Sequence, residues 1–164
     1  MENIQLIMTK YIFGFALQSF LTVLGIFTFN KQKIIIKEYL FTASILTLVT
    51  FFMKSLPIVL GVQTIMNMIF IYMFCVIYLK MQPYSTIKST ALCFVLILIS
   101  EMITTAGTVF FFGQENFKMM INDVSIKHNI GTVANIIYAI IIIPLYIRLS
   151  RKGDYHRSTS EQAS

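Results

Sequence analysis

Glu101 lies near the middle of a long apolar run, Ser89 to Phe112, and is followed by Thr104, Thr105 and Thr108. Steps of three, four and seven place those residues on one side of a helix. A carboxyl among hydroxyls accepts hydrogen bonds when ionised and can donate one when protonated. The preceding apolar run, Ile58 to Leu79, carries Gln63 and Asn67 four residues apart, beside Gly61 and Thr64 and just after Pro57. Pro57, Gly61, Gln63, Thr64, Asn67, Glu101, Thr105 and Thr108 form the candidate ligand-binding set. The competing explanation for the same residues is ordinary packing between helices. A charge at the centre of a bilayer costs about 2.5 to 3.5 kcal/mol. Glu101 is therefore expected to face the interior of a bundle, protonated and bonded to other helices, paired with Lys54, or bound to a ligand.

Other chemistry is thinly represented. A nucleophilic cysteine needs a base nearby to form thiolate. Cys75 and Cys93 fall toward one end of their apolar runs, whereas His128 lies toward the other and His156 sits in a polar tail. The two cysteines read as small buried hydrophobes. A structural or catalytic metal needs several His, Cys or carboxylate ligands together, and the sequence does not cluster them. Glycine-rich phosphate loops of the Walker or dinucleotide type are also missing. The expectation is a non-enzymatic protein with no metal and no cofactor.

The elements that must position these residues are long and apolar. Of 164 residues, 57% are hydrophobic and 12% charged, about half the charged share of a soluble domain, and mean hydropathy is +0.77. A membrane helix needs about 20 mainly apolar residues. Five windows approach or meet that: Tyr11–Phe29, Ile34–Met53, Ile58–Leu79, Ser89–Phe112 and Ile130–Ile147. The fold class is all-α, a polytopic integral membrane bundle of about five transmembrane helices spanning residues 1–147. The segment 148–164 is a basic, then polar, cytoplasmic tail. The runs are too long and too uniformly apolar for the strands of a barrel. Residues 113–129 read as the longest internal loop. Met1 to Thr9 lacks a positive n-region, so the first run is expected to stay in the mature chain.

Lysine and arginine in short loops set orientation. One set of loops holds Lys31, Lys33, Lys37, Lys80, Lys88, Arg148, Arg151, Lys152 and Arg157; the other holds Lys10, Lys54, Lys118 and Lys127. The richer side is expected inside, giving an N-out, C-in protein of the cell membrane. The net charge of +6 then reads as a topology signal that also meets anionic lipid, with no role in nucleic-acid binding. Small or polar stripes recur on each run: Gly14, Gln18, Thr22 and Gly25; Ala43, Thr47 and Thr50; Gly131, Asn135 and Ala139. Such stripes allow close helix contact in lipid. Pro144, near the inner end of the last run, is either a tolerated membrane proline or a hinge toward the tail.

The stretch Leu56-Pro57-x-x-x-Gly61-x-x-Thr64, the loop Lys80 to Lys88 with Pro83, Ser85 and Ile87, and the run ending Leu98-Ile99-Ser100-Glu101 resemble a known family. They are similar to the membrane sensor region of peptide-pheromone receptor histidine kinases of Firmicutes, the accessory gene regulator type. The likeness spans about Phe41 to Thr105 in pattern. It implies an outward-facing site for a peptide signal and a last helix that passes the signal to a cytoplasmic kinase. Residues 1–164 include no phosphoacceptor helix or ATP-binding domain of that family, so the expectation is either a sensor fragment or a stand-alone relative that acts through a partner. The expected function is that of a sensor or regulatory membrane protein. Its expected partners are the lipid bilayer, an extracellular peptide, a separate kinase or other membrane protein, or a further copy of itself. The alternatives are a small transporter component using the same pocket, or a phage-type pore former.

Overall fold

The computed structural model describes residues 14–55 and 60–151, with side chains at 54, 55, 60–64, 124, 125, 127, 128 and 151 outside the description. Among the described residues there are six α-helices and no strand: α1 Leu17–Phe29, α2 Ile36–Ser55, α3 Leu60–Ile77, α4 Pro83–Phe112, α5 Gln114–Asn122 and α6 Val124–Arg151. Three of them are long and apolar enough to cross a membrane, over Ile36–Met53, Pro83–Phe112 and Asn129–Ser150. α1 and α3 are shorter apolar helices in their described parts.

Short turns dictate antiparallel neighbours. The α1–α2 turn closes with Gln32 N–H donating to Phe27 O and Lys31 N–H to Thr28 O, both at 3.1 Å, while Lys31 takes a positive φ of 53°. That is a Schellman ending with lysine where glycine is usual. The α3–α4 turn also holds a lysine at positive φ, Lys80 at 50°, and closes with Met81 N–H donating to Cys75 O at 3.1 Å. The two turns meet, because Asn30 Nδ2 donates to Met81 Sδ at 3.6 Å and Met81 is buried in the core. Lys31, Lys33, Lys37, Lys80 and Lys88 therefore gather at one end of the bundle. At the other end, Asn135 Nδ2 of α6 donates to Gly14 O at 3.0 Å, so α6 runs parallel to α1 and brings Arg148 toward the lysine end.

The centre of the bundle is α1, which packs against α2, α4 and α6. α1 has the right surface for the task. Thr22, Val23, Gly25, Ile26, Phe27 and Thr28 are all buried, covering most of its circumference. Val23, Ile26 and Phe27 fill a core with Ala43, Leu46, Ile71, Cys75 and Cys93. Leu21 meets Ile97, Tyr138 and Ile142 in a second cluster. Gly25 is the tightest point. A Cβ there would lie 2.7 Å from Cys93 Sγ, 3.0 Å from Tyr138 Oη and 3.4 Å from Ile142 Cδ1.

The bundle is apolar outside and partly polar within. Large hydrophobics such as Phe52, Met102 and Ile140 are exposed, each by about two thirds or more. Ser19, Thr28, Thr86, Ser89, Ser100 and Thr104 are buried. Water would not tolerate so extensive an apolar surface on a monomer; hydrocarbon would. Five of these six hydroxyls bond locally, as Thr28, Thr86, Ser89, Ser100 and Thr104 each donate to the carbonyl four residues back at 2.6–2.9 Å. Serine and threonine can bond in this way without a partner helix.

Two expected boundaries are corrected. α4 begins at Pro83, six residues before the expected start, because Pro83 sits at the first helical position, where its fixed φ and missing N–H are no disadvantage. The supposed loop 113–129 is mostly helical. Gly113 breaks the chain with φ +80°, α5 follows, and Asp123 Oδ1 accepts from Ile126 N–H at 3.2 Å to start α6 at Val124. An aspartate in that position is an ordinary N-cap.

Candidate functional site

α4 sorts its polar residues by a one-residue offset. Cys93, Ile97, Ser100 and Thr104 follow the three- and four-residue steps of one helix face, and all four are buried. Glu101 is one position further on, turned about 100° away by the helical period, and it is exposed. The expectation that Glu101 faces the bundle interior is thus overturned. The reason is packing: the small residues of α4, not its acid, are aligned with α1.

Glu101 lines a notch on the outer surface of α4. Leu98, Met102, Thr105, Ala106, Val109 and Phe110 complete its described lining, and its cavity volume is about 700 Å³. Thr105 stands one turn beyond Glu101 on the same side and is also exposed. Thr108 is half-buried and donates to Thr104 O at 2.8 Å, so its hydroxyl is used within the helix. Thr104 belongs to the buried side. Of the threonines grouped with Glu101 by spacing, Thr105 alone shares its notch.

The partner side of the expected pocket is arranged differently. Asn67 is half-buried, and its Nδ2 donates to Thr50 Oγ1 at 3.2 Å. It therefore ties α3 to α2, and it does not line the Glu101 notch. Asn67 Oδ1 is buried without a hydrogen-bond partner among the described residues. Pro57 lies outside the described residues, and Gly61, Gln63 and Thr64 are described by backbone only, in the first turn of α3.

α4 is 30 residues long, about 45 Å at 1.5 Å per residue. Glu101 stands about 27 Å from Pro83 on that rise, past the middle and toward the end opposite the lysines. Beyond it Phe110, Phe111 and Phe112 are exposed before the polar helix α5. The notch can accept a donor at Glu101 and Thr105 and apolar groups at Leu98, Met102, Val109 and Phe110. Its described lining holds no nucleophile–base pair.

Cys75 and Cys93 are free and fully buried, in line with their reading as small hydrophobes. Cys93 Sγ approaches Thr22 O at 3.8 Å. No group of three or more His, Cys, Asp or Glu side chains that could hold a metal comes together among the described residues. Comparison with family models, curated sequences and solved structures gave no match. The arrangement is therefore read from its own chemistry.

The sequence missed the centrality of α1 and the contact of Gly25 with Cys93 and Tyr138. A signal for the first was present. Gly14, Thr22 and Gly25 share the first run with Gln18 and Ser19, a density of small and polar residues that suits a helix with neighbours on several sides.

Proposed function

We propose that this chain is a polytopic membrane protein that receives a ligand or partner on the outer face of α4, and that it acts as a sensor or regulator without catalysing a reaction. The observation that carries the reading is Glu101. An acid on a membrane-length helix ordinarily faces the bundle interior or an aqueous cavity. This one faces outward from the bundle, in a notch with Thr105. A second molecule that covers the notch would contact the carboxyl directly and read its position. The orientation proposed is N-out and C-in with about five spans, supported by the lysines and Arg148 at one end of the bundle. It puts the Glu101 notch in the outer half. The likeness of residues 41–105 to peptide-pheromone receptors supports a peptide as the ligand and a separate kinase or other membrane protein as the reader. The filled centre around α1 favours this over a transport route through a single copy, since Val23, Ile26 and Phe27 are at most 1% exposed.

The test is site-specific photo-crosslinking in intact membranes. A benzophenone side chain at Met102, which is 71% exposed in the notch, should give a discrete peptide or protein adduct. The same probe at Leu92, on another exposed part of α4, should give none. Lipid adducts alone at both positions would sink the proposal.

A further inference from the structure

Among the described residues, two other than glycine hold a left-handed backbone, and both are lysines: Lys31 at φ 53° and Lys80 at φ 50°. That conformation is costly for a residue with a Cβ, and glycine or asparagine is the usual choice. The two lysines are also close in the fold. Each is next in sequence to one member of the Asn30–Met81 pair, whose side chains meet at 3.6 Å. Both turns are closed by backbone bonds, Gln32 N–H to Phe27 O and Met81 N–H to Cys75 O, each at 3.1 Å. Met81 is buried beneath them. Lys31 and Lys80 are exposed, so two cations project from fixed backbone at one tip of the bundle.

Topology alone does not ask for this arrangement. The positive-inside rule counts cations near the ends of the spans and is indifferent to their backbone conformation. Lys33, Lys37 and Lys88 serve that rule at the same end, and none of them has a positive φ. Anionic headgroups are no better reason. They form a fluid layer that follows a cation wherever it stands, so a fixed position gains nothing against them. Backbone strain that the surrounding structure holds in place marks functional positions, and a fixed pair of charges is useful against a partner whose own charges are fixed. The sign of that partner follows from the surroundings. Lys31, Lys33, Lys37, Lys80, Lys88 and Arg148 are exposed at this end, and Glu38 is the only acid there among the described residues.

We infer that the tip formed by the two turns is a docking surface for an acidic segment of another protein, with Lys31 and Lys80 as its anchor points. The inference rests on the proposed orientation, which puts this tip inside, and on the proposed separate reader, to which the acidic segment belongs. Carboxylates of that segment pair with the two fixed ammonium groups, and the other cations add long-range attraction. The left-handed lysines thus trade stability for position, as binding sites commonly do.

The test uses the full chain in phosphatidylcholine nanodiscs, with a fluorescent glutamate-rich peptide as the probe and anisotropy as the readout. Two double changes remove the same charge. Lys31→Gln with Lys80→Gln should weaken binding about tenfold, and Lys33→Gln with Lys37→Gln about twofold, toward the two ends of the range for exposed charge pairs. Lys31→Gly with Lys80→Gly should bind as weakly as the first double change while melting above the parent, because it relieves the backbone as it removes the charge. Equal losses from the two glutamine variants would show undirected charge attraction and overturn the inference. So would a glycine variant that melts below the parent. So would loss of phosphatidylglycerol retention in native mass spectrometry that is greater for Lys31→Gln with Lys80→Gln than for Lys33→Gln with Lys37→Gln, which would assign the fixed lysines to a lipid headgroup. Crosslinking at Met102 reads the other end of the bundle, so the outcome here and the outcome for the Glu101 notch are separate.

Discussion

Gly25 tests whether α1 is the centre of the bundle. Gly25→Ala adds one carbon that would lie 2.7 Å from Cys93 Sγ and 3.0 Å from Tyr138 Oη. Neither neighbour can give way easily, because Cys93 is fully buried and Tyr138 is 1% exposed. Overpacking of this kind costs about 1–3 kcal/mol. Alanine recovers about 0.8–1.0 kcal/mol of helix propensity over glycine. The net expectation is a loss of about 1 kcal/mol, or about 2–4 °C in melting temperature for a chain of this size. The decisive assay is a double-mutant cycle with Cys93→Ala, read as thermal stability in detergent. Removing Sγ takes away the closest contact, so the double variant should be more stable than the sum of the single changes by about 1 kcal/mol. Additivity within about 0.3 kcal/mol, or a Gly25→Ala protein more stable than the parent, would refute the close approach of α1 to α4.

Further outcomes follow from single contacts. Thr50→Val removes the acceptor of Asn67 Nδ2 and should cost about 0.6–1.7 kcal/mol, whereas Asn67→Leu, which removes the donor and the unpaired Oδ1 together, should be close to neutral; thermal melts of both variants check the difference. Lys31→Gly should stabilise the fold by about 1 kcal/mol by relieving the left-handed backbone at φ 53°, read in the same melts, and a loss of stability would show that the lysine side chain matters more than its strain. Pro144→Ala restores the N–H that the interior of α6 lacks; if Pro144 is a hinge, the change should leave insertion intact and alter protease sensitivity of the tail after Arg151.

The apolar helices were legible from length and composition, since about 20 hydrophobic residues in a row have few other uses. The clustering of Lys31, Lys80 and Lys88 at one end was legible for the same reason. The face of each helix was not. In a soluble protein the hydrophobic side marks the core, but in lipid both sides are apolar and periodicity carries little information. Glu101 and Thr104 looked like one stripe by spacing, and they fall on opposite sides of the boundary between surface and core. The polar residues grouped as one pocket divide into an α2–α3 tie at Asn67 and a surface notch at Glu101. α5 was hidden by its polarity, although Gly113 and Asp123 marked its two ends.

The Glu101 notch as a surface for engagement, and not a packing element, is tested most directly by Glu101→Leu carried with the Met102 photo-probe. Leucine in apolar surroundings is cheaper to insert than an acid by about 3 kcal/mol. The variant should therefore melt no lower than the parent while its adduct at Met102 disappears, and Glu101→Gln should show the same loss with unchanged stability. A Glu101→Leu protein that folds normally and keeps the full adduct would contradict the proposed role of the notch, as would one whose adduct is lost only because the bundle itself is destabilised.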